Sequence, residues 1–402
     1  MLQARPGYIR ALDGVRALAI LPVTAYHYIG WNLGQFEPTP GAAILRKLID
    51  RGALGVTLFF VLSGFLITGI LLDQKGAKNW IPLFLARRAL RIFPLYYAVL
   101  IAIFWVYPHL IGTNAHALYG ALANKQGGLW LYASNLQIGL ENRWALCSAT
   151  PCTNGLDINH FWSLAVEEHF YLFWPILLWW TPRRYASWIA IALSVFAASL
   201  RLYIFGLPEG AWLFATHTFT PCVMDSLLLG ALPAIWLRDP ITAPRVLRFA
   251  PYFLLAPLLA LALPKGDLHD ALIPSLLSMA FAAIIVVCAH LRPQSFAARA
   301  IGWGPFVFIG QISYGLYLLH APLHQAWKRL APPDLLVRAT HSTVLGLILF
   351  WLIATTLSGA VAYASFRWFE KPILALKNRL PGAREEGSAG HEAIRPESPA
   401  AT

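Results

Sequence analysis

Charge is what this sequence has least of. Of its 402 residues only 12% are Asp, Glu, Lys or Arg, about half the share in an ordinary soluble domain. That scarcity excludes two or three water-soluble domains as the use of this length. Cysteine is scarce too: four residues are too few for a disulfide-built scaffold. Cys222 and Cys288 fall within apolar runs, as inert packing residues, whereas Cys147 and Cys152 sit close together in the longest polar connection. In an oxidising compartment that second pair could close a disulfide. No internal repeat of the kind found in many secondary transporters is visible. Nothing resembles a metal site, no Ser or Cys motif suggests a nucleophile, and no appended soluble catalytic domain is read in the chain.

What is abundant is apolar surface. Apolar residues make up 58% of the chain and the mean hydropathy is +0.57. They come in runs of about 20 residues, the length that crosses a ~30 Å hydrocarbon core as helix. Sixteen Trp and fifteen Tyr suit a protein with many membrane–water boundaries. The expectation is an all-α polytopic membrane protein with ten transmembrane helices, near 11–31, 53–73, 92–111, 160–180, 186–205, 219–237, 248–264, 271–291, 302–324 and 342–368. The first is read as an uncleaved helix and not a signal peptide, because Asp13 and Arg16 interrupt it. Residues 1–376 form the membrane domain and 377–402, rich in Gly, Ala, Glu and Pro, a disordered cytoplasmic tail.

The net charge of +12 raises the possibility of nucleic acid, but the basic residues lie between apolar runs, so the expected partner is membrane lipid. With a cytoplasmic N-terminus and ten alternating spans, inside segments hold 19 Lys and Arg, outside loops hold 9, and Arg16, Arg201 and Arg367 lie within spans, which accounts for all 31. That bias puts both termini in the cytoplasm. The largest outside element, residues 112–159, is expected to cover the outer mouth of the bundle.

Ionisable groups within spans are costly and are functional candidates by default. Arg16 and His27 are 11 residues apart, close to three helical turns, so they share a face and stand roughly 16.5 Å apart along the axis. A stripe of that length can hold both ends of a long ligand; the bland reading makes Arg16 a snorkelling residue and His27 a core histidine. A second cluster runs His160-Phe161-Trp162-Ser163-Leu164-Ala165-Val166-Glu167-Glu168-His169-Phe170-Tyr171. Its two carboxylates point about 100° apart, and Ser163, four residues before Glu167, shares that face. Arg88 and Arg91, three apart, can converge on one phosphate or simply anchor the inner interface. His320, near the depth of His27, and Asp225, at the outer start of the sixth span, are site-lining or packing residues.

In order along residues 8–375, the pieces Leu12-Asp13-Gly14-Val15-Arg16-Ala17-Leu18-Ala19 leading to His27, Phe59-Phe60-Val61-Leu62-Ser63-Gly64-Phe65-Leu66-Ile67, Arg88-Ala89-Leu90-Arg91-Ile92-Phe93-Pro94, Trp162-Ser163-Leu164-Ala165-Val166-Glu167-Glu168, Ser313-Tyr314-Gly315-Leu316-Tyr317-Leu318-Leu319-His320 and Glu370-Lys371-Pro372 resemble the acyltransferase-3 family. Its members are bacterial-type inner-membrane enzymes that acylate hydroxyls of extracytoplasmic glycans or small molecules. The resemblance implies that Arg16 and His27 are the family's essential pair, and that Arg88 and Arg91 help to hold a cytoplasmic acyl-CoA. Two positions depart from the pattern: His169 stands where the family usually has Gln, and Val223 where a basic residue often precedes the sixth-span Asp.

The expected chemistry follows. Acyl-CoA, the donor, places its phosphates on Arg88, Arg91 and Arg16, and its pantetheine arm carries the thioester, with acetyl the first choice of acyl group, towards His27. An acceptor hydroxyl arrives from outside, and His27 removes its proton. Glu167 or Glu168 orients the imidazole. Asp13, Ser163, Asp225 and His320 are the expected substrate-binding residues. The rival readings are a non-enzymatic transporter of an acyl donor or lipid-linked sugar, and an intramembrane thioester hydrolase.

Overall fold

Backbone groups in lipid can be satisfied only by the chain itself, so long apolar runs become helix. The computed structural model describes residues 9–148, 155–208 and 210–380. Twelve helices matter for the site: α1 (Arg10–Leu33), α2 (Leu54–Gln74), α3 (Trp80–Ile101), α4 (Phe161–Trp180), α5 (Arg183–Phe205), α6 (Thr220–Trp236), α7 (Ala243–Phe253), α8 (Ala256–Ala262), α9 (Asp267–Ala289), α10 (Gly304–Gln311), α11 (Ser313–Leu330) and α12 (Thr343–Ser365).

Six helical segments among the described residues are long and apolar enough to cross a membrane, and seven if the bent pair α10–α11 counts as one span. The sequence reading has ten, and the difference has a physical cause. Helices α1 and α4 have the length, but Asp13 and Arg16 in one and Glu167, Glu168 and His169 in the other lower their apolarity. The expected span at 248–264 is broken into α7 and α8 at Leu254 and Leu255. The expected helix at 302–324 is bent by 69° between α10 and α11. The chain is an integral membrane protein.

The bundle exposes large apolar side chains and buries ionisable groups within its apolar core. Phe173, Trp179, Trp180, Trp188 and Phe196 on α4 and α5 are exposed, whereas Asp13, Glu168, Arg201, Asp225 and His320 are buried. Small residues let backbones approach closely, as membrane helix pairs require. A Cβ added at Gly64 would lie 1.8 Å from the Leu227 carbonyl oxygen, and one at Gly230 would lie 2.0 Å from that of Val61, so α2 and α6 interlock reciprocally. A Cβ at Gly310 would meet the Asp13 carbonyl at 1.9 Å, which seats α10 against α1.

One buried ion pair ties three helices. The Arg201 guanidinium donates from Nη2 to Asp225 Oδ2 at 2.8 Å and to Ser275 Oγ at 2.8 Å, and from Nη1 to Asp225 Oδ1 at 3.1 Å and to the Cys222 carbonyl. Nε donates to the Ala271 carbonyl at 2.9 Å, and Ser275 donates to Asp225 Oδ2 at 2.5 Å. All five guanidinium N–H groups are used, across α5, α6 and α9. Asp225, expected among the substrate contacts, is therefore held as the counter-ion of Arg201.

Cys147 is disulfide-bonded, and its expected partner Cys152 lies outside the described residues. Of the expected tail, Ala375–Arg379 closes as a 3-10 turn, and 381–402 lie outside the described residues.

Candidate active site

Two cavities meet inside the bundle. The smaller, about 110 Å³, is lined by Arg16 from α1, Ser63 from α2, Arg88 and Arg91 from α3, and Glu167 and Glu168 from α4. Their convergence follows from helical spacing: Arg88 and Arg91 stand one turn apart, as do Ser163 and Glu167, and all four border the cavity, Arg91 while still exposed. Arg16 is ion-paired with Asp13 one turn earlier. Glu167 accepts from Ser63 Oγ at 2.7 Å and from the Tyr171 hydroxyl at 3.0 Å. The Arg88 guanidinium lies over the rings of Phe84 and Tyr171, 5.6 and 5.8 Å from their centroids. Among the described residues neither Arg88 nor Arg91 has a carboxylate in ion-pair range, so both guanidinium groups border the cavity without a direct salt bridge, although Glu167 and Glu168 share it. Glu168 Oε1 is buried there with no hydrogen-bond partner among the described residues.

The larger cavity, about 630 Å³, is lined by Tyr26, His27 and Trp31 of α1 together with Asp157, His160 and Trp162. Val56, Phe60 and Tyr317 line both cavities and form the wall between them. The Tyr317 hydroxyl fixes that wall: it lies 2.5 Å from Ser163 Oγ and donates to the His160 carbonyl at 3.1 Å.

His27 Nδ1 lies 2.8 Å from His320 Nε2, and His320 Nδ1 lies 2.6 Å from the Tyr317 carbonyl. A carbonyl only accepts, so His320 Nδ1 carries a proton. In neutral His320 the Nε2 atom is then an acceptor, and His27 donates to it from Nδ1. The chain of donors leaves Nε2 of His27 with an unshared lone pair. A base held by an orienting partner needs this arrangement, and His320 occupies the orienting position. Sequence reasoning assigned that task to Glu167 or Glu168, but Glu167 is engaged by Ser63 and Tyr171, and neither carboxylate hydrogen-bonds His27. His324 backs the cluster, bonding Asn32 Nδ2 at 3.0 Å and stacking on Tyr28.

The structure thus divides the expected residues. Arg16, Arg88, Arg91, Ser163, Glu167 and Glu168 gather at the first cavity, and His27 opens onto the second with His320 behind it. The Arg16–His27 stripe links the two. Asp13, expected to touch substrate, is ion-paired with Arg16, and Asp225 borders the second cavity while bonded to Arg201. Tyr317, Ser63, Trp31, Asp157 and His160 were not singled out. Tyr317 and Ser63 lie inside quoted motifs, and His160 heads one, but only the folded packing turns them inward.

The connection before α4 carries Asp157 and His160 to the cavity. Ile158 N donates to the Leu146 carbonyl at 3.0 Å and Ser148 N to that of Leu156 at 2.9 Å, which pins the loop back on itself. Asp157 Oδ1 accepts from the Asn159 backbone at 2.8 Å and its Nδ2 at 2.9 Å, yet burial pushes the carboxyl up to about 6. Between the unfolded value of about 3.9 and 6 the folded chain binds this proton more firmly than the unfolded one. Wild-type stability should therefore fall relative to Asp157→Asn as pH rises through that window, by up to about 3 kcal/mol. Thermal melts of both proteins in detergent from pH 4 to 7 check this, and parallel curves would refute it.

The family described as the acyltransferase domain matches this chain over residues 9–367. The peptidoglycan O-acetyltransferase OatA of Listeria monocytogenes is 29% identical over 390 residues, covering 91% of this chain and 56% of that protein. The O-acetyltransferase OatA of Staphylococcus aureus is 25% identical over 390 residues, covering 92% of this chain and 57% of that protein. The chain thus spans little more than half the length of these curated relatives. No solved structure matches it.

Proposed function

The chain belongs to the acyltransferase-3 family, and from that premise we propose that it transfers an acyl group, acetyl first, from cytoplasmic acyl-CoA to a hydroxyl of a glycan outside the membrane. The observation that carries this reading is the pair of cavities sharing one wall, with guanidinium groups free of direct salt bridges in one and the free Nε2 of His27 in the other. Phosphates are natural ligands for Arg88 and Arg91. The excess of Lys and Arg in alternate loops supports putting that side in the cytoplasm, with ten spans, both ends inside and the bacterial inner membrane as location. The pantetheine arm is comparable in length to the Arg16–His27 stripe, which lets a thioester reach the Tyr317 wall. A cavity of about 630 Å³ falls in the usual range for ligand sites, and the faces of Trp31, Trp144 and Trp162 suit the C–H-rich faces of a sugar. The Listeria relative's name makes peptidoglycan the first acceptor to try.

His27 Nε2 takes the proton of the attacking hydroxyl, and His320 holds the resulting charge in place through Nδ1 of His27. The proton later goes to the departing sulfur, so His27 ends each cycle as it began.

The test is transfer of label from acetyl-CoA to peptidoglycan fragments by the purified protein in lipid vesicles. Base-labile label on the glycan is the expected result; label released only as free acetate would refute transfer in favour of hydrolysis, and acetyl-CoA crossing the vesicle intact would favour transport. Arg88→Gln and Arg91→Gln should each raise KM for acetyl-CoA about 10- to 100-fold while kcat at saturation changes far less, because each removes a charge-assisted bond worth about 1.5–3 kcal/mol. An unchanged KM in both variants would remove the phosphates from this cavity.

A further inference from the structure

His160 stands beside the base with no task in the chemistry above. It is 6% exposed, and neither ring nitrogen makes a hydrogen bond of good geometry among the described residues, although the backbone of Tyr317 and Leu318 lies close by. Its ring centroid lies 4.9 Å from that of His320 and 6.2 Å from that of His27, and it borders the larger cavity next to Tyr317. Phe161 and Tyr317 pack edge-on against it at 4.8 and 5.4 Å, and its carbonyl is fixed by the hydroxyls of Ser163 and Tyr317. A rigidly packed imidazole with two unmade hydrogen bonds is costly to keep. The cost is met when a ligand supplies the partner.

We propose that His160 donates a hydrogen bond to the carbonyl oxygen of the acyl group during transfer, an assignment that rests on the function proposed above. The acceptor hydroxyl oxygen attacks the thioester carbonyl carbon, and its proton passes to Nε2 of His27. The carbonyl π pair moves onto oxygen, where an N–H of His160 meets it. Collapse re-forms the C=O bond, breaks the C–S bond, and sends the proton from His27 to sulfur, giving the ester and the CoA thiol. The two histidines divide the work by their surroundings. His27 has its tautomer set by His320, which makes it a base; no hydrogen bond of good geometry fixes the His160 tautomer, so either nitrogen can present the proton where charge develops. A donor placed in advance at that point is worth about 10²–10³ in rate.

The experiment compares His160→Leu and His160→Gln with wild type, using labelled acetyl-CoA and peptidoglycan fragments, after acetyl-CoA binding has shown each variant to be folded. His160→Leu should lower kcat about 10²- to 10³-fold with both KM values within about threefold, and His160→Gln, which keeps an N–H donor, should recover at least about tenfold of that loss. A kcat of His160→Leu within threefold of wild type, equal losses in Leu and Gln, or a loss confined to the glycan KM would each overturn the assignment while leaving the transfer function standing. A wild-type protein that transfers no label would overturn both. If His160→Leu does not fold, the Gln variant decides: a loss of more than about 10²-fold there counts against the donor role.

Discussion

His27→Ala should lower kcat for acyl transfer at least about 10³-fold, and His320→Leu about 10²-fold, with the double variant no worse than His27→Ala alone. The first figure follows from removing the only nitrogen that the donor chain leaves free to accept a proton; general bases contribute about 10²–10⁴. The second follows from the contact at 2.8 Å between His27 Nδ1 and His320 Nε2. Without His320 the imidazole is free to rotate, to swap tautomers and to lose the partner that supports its charged form. A residue acting solely through His27 has nothing left to act on once His27 is gone, so the two effects should not add. His320→Gln keeps an oxygen acceptor and should retain more activity than His320→Leu. Equal activity in these two variants, or full multiplication of the losses in the double variant, would separate His320 from the base. Rates at saturating acetyl-CoA and glycan, with acetyl-CoA binding as the folding control, measure all of this.

How far the sequence could be read depended on whether an interaction was local in the chain. The Arg16–His27 stripe was legible because both residues lie on one helix, where spacing alone sets direction. So were Arg88 with Arg91 and Ser163 with Glu167, each pair a turn apart. The partner of His27 was not: His320 is 293 positions away, and periodicity tells which face a residue occupies but not which helix arrives there. By residue type Glu167 or Glu168 is the natural orienter, but Ser63 and Tyr171 occupy Glu167. The bend between α10 and α11 was invisible for a related reason. The bend at Ile312 carries no proline, and it is the seating of Gly310 on the Asp13 carbonyl that directs α10 along α1.

Arg201 and Asp225 were both visible as charges within spans, yet their pairing was hidden because it crosses from α5 to α6. Removing one member strands the other without a counter-charge at 1% or 0% side-chain exposure. Arg201→Met or Asp225→Leu alone should therefore destabilise the protein by about 3–5 kcal/mol, whereas the two together should recover most of that loss, since well-packed apolar pairs often replace buried ion pairs at little cost. Thermal melts in detergent decide this, and single variants within about 1 kcal/mol of wild type would show the pair to be dispensable. The activity of the double variant separates two roles for Asp225. As a strut between helices it can be replaced by apolar packing, and acyl transfer survives wherever the fold does. As a substrate contact at the edge of the larger cavity it cannot, and a stable double variant would then lose affinity for the glycan. Two of the five satisfied donors of Arg201, with the hydroxyl of Ser275, already engage both carboxylate oxygens, so the strut is the expected outcome.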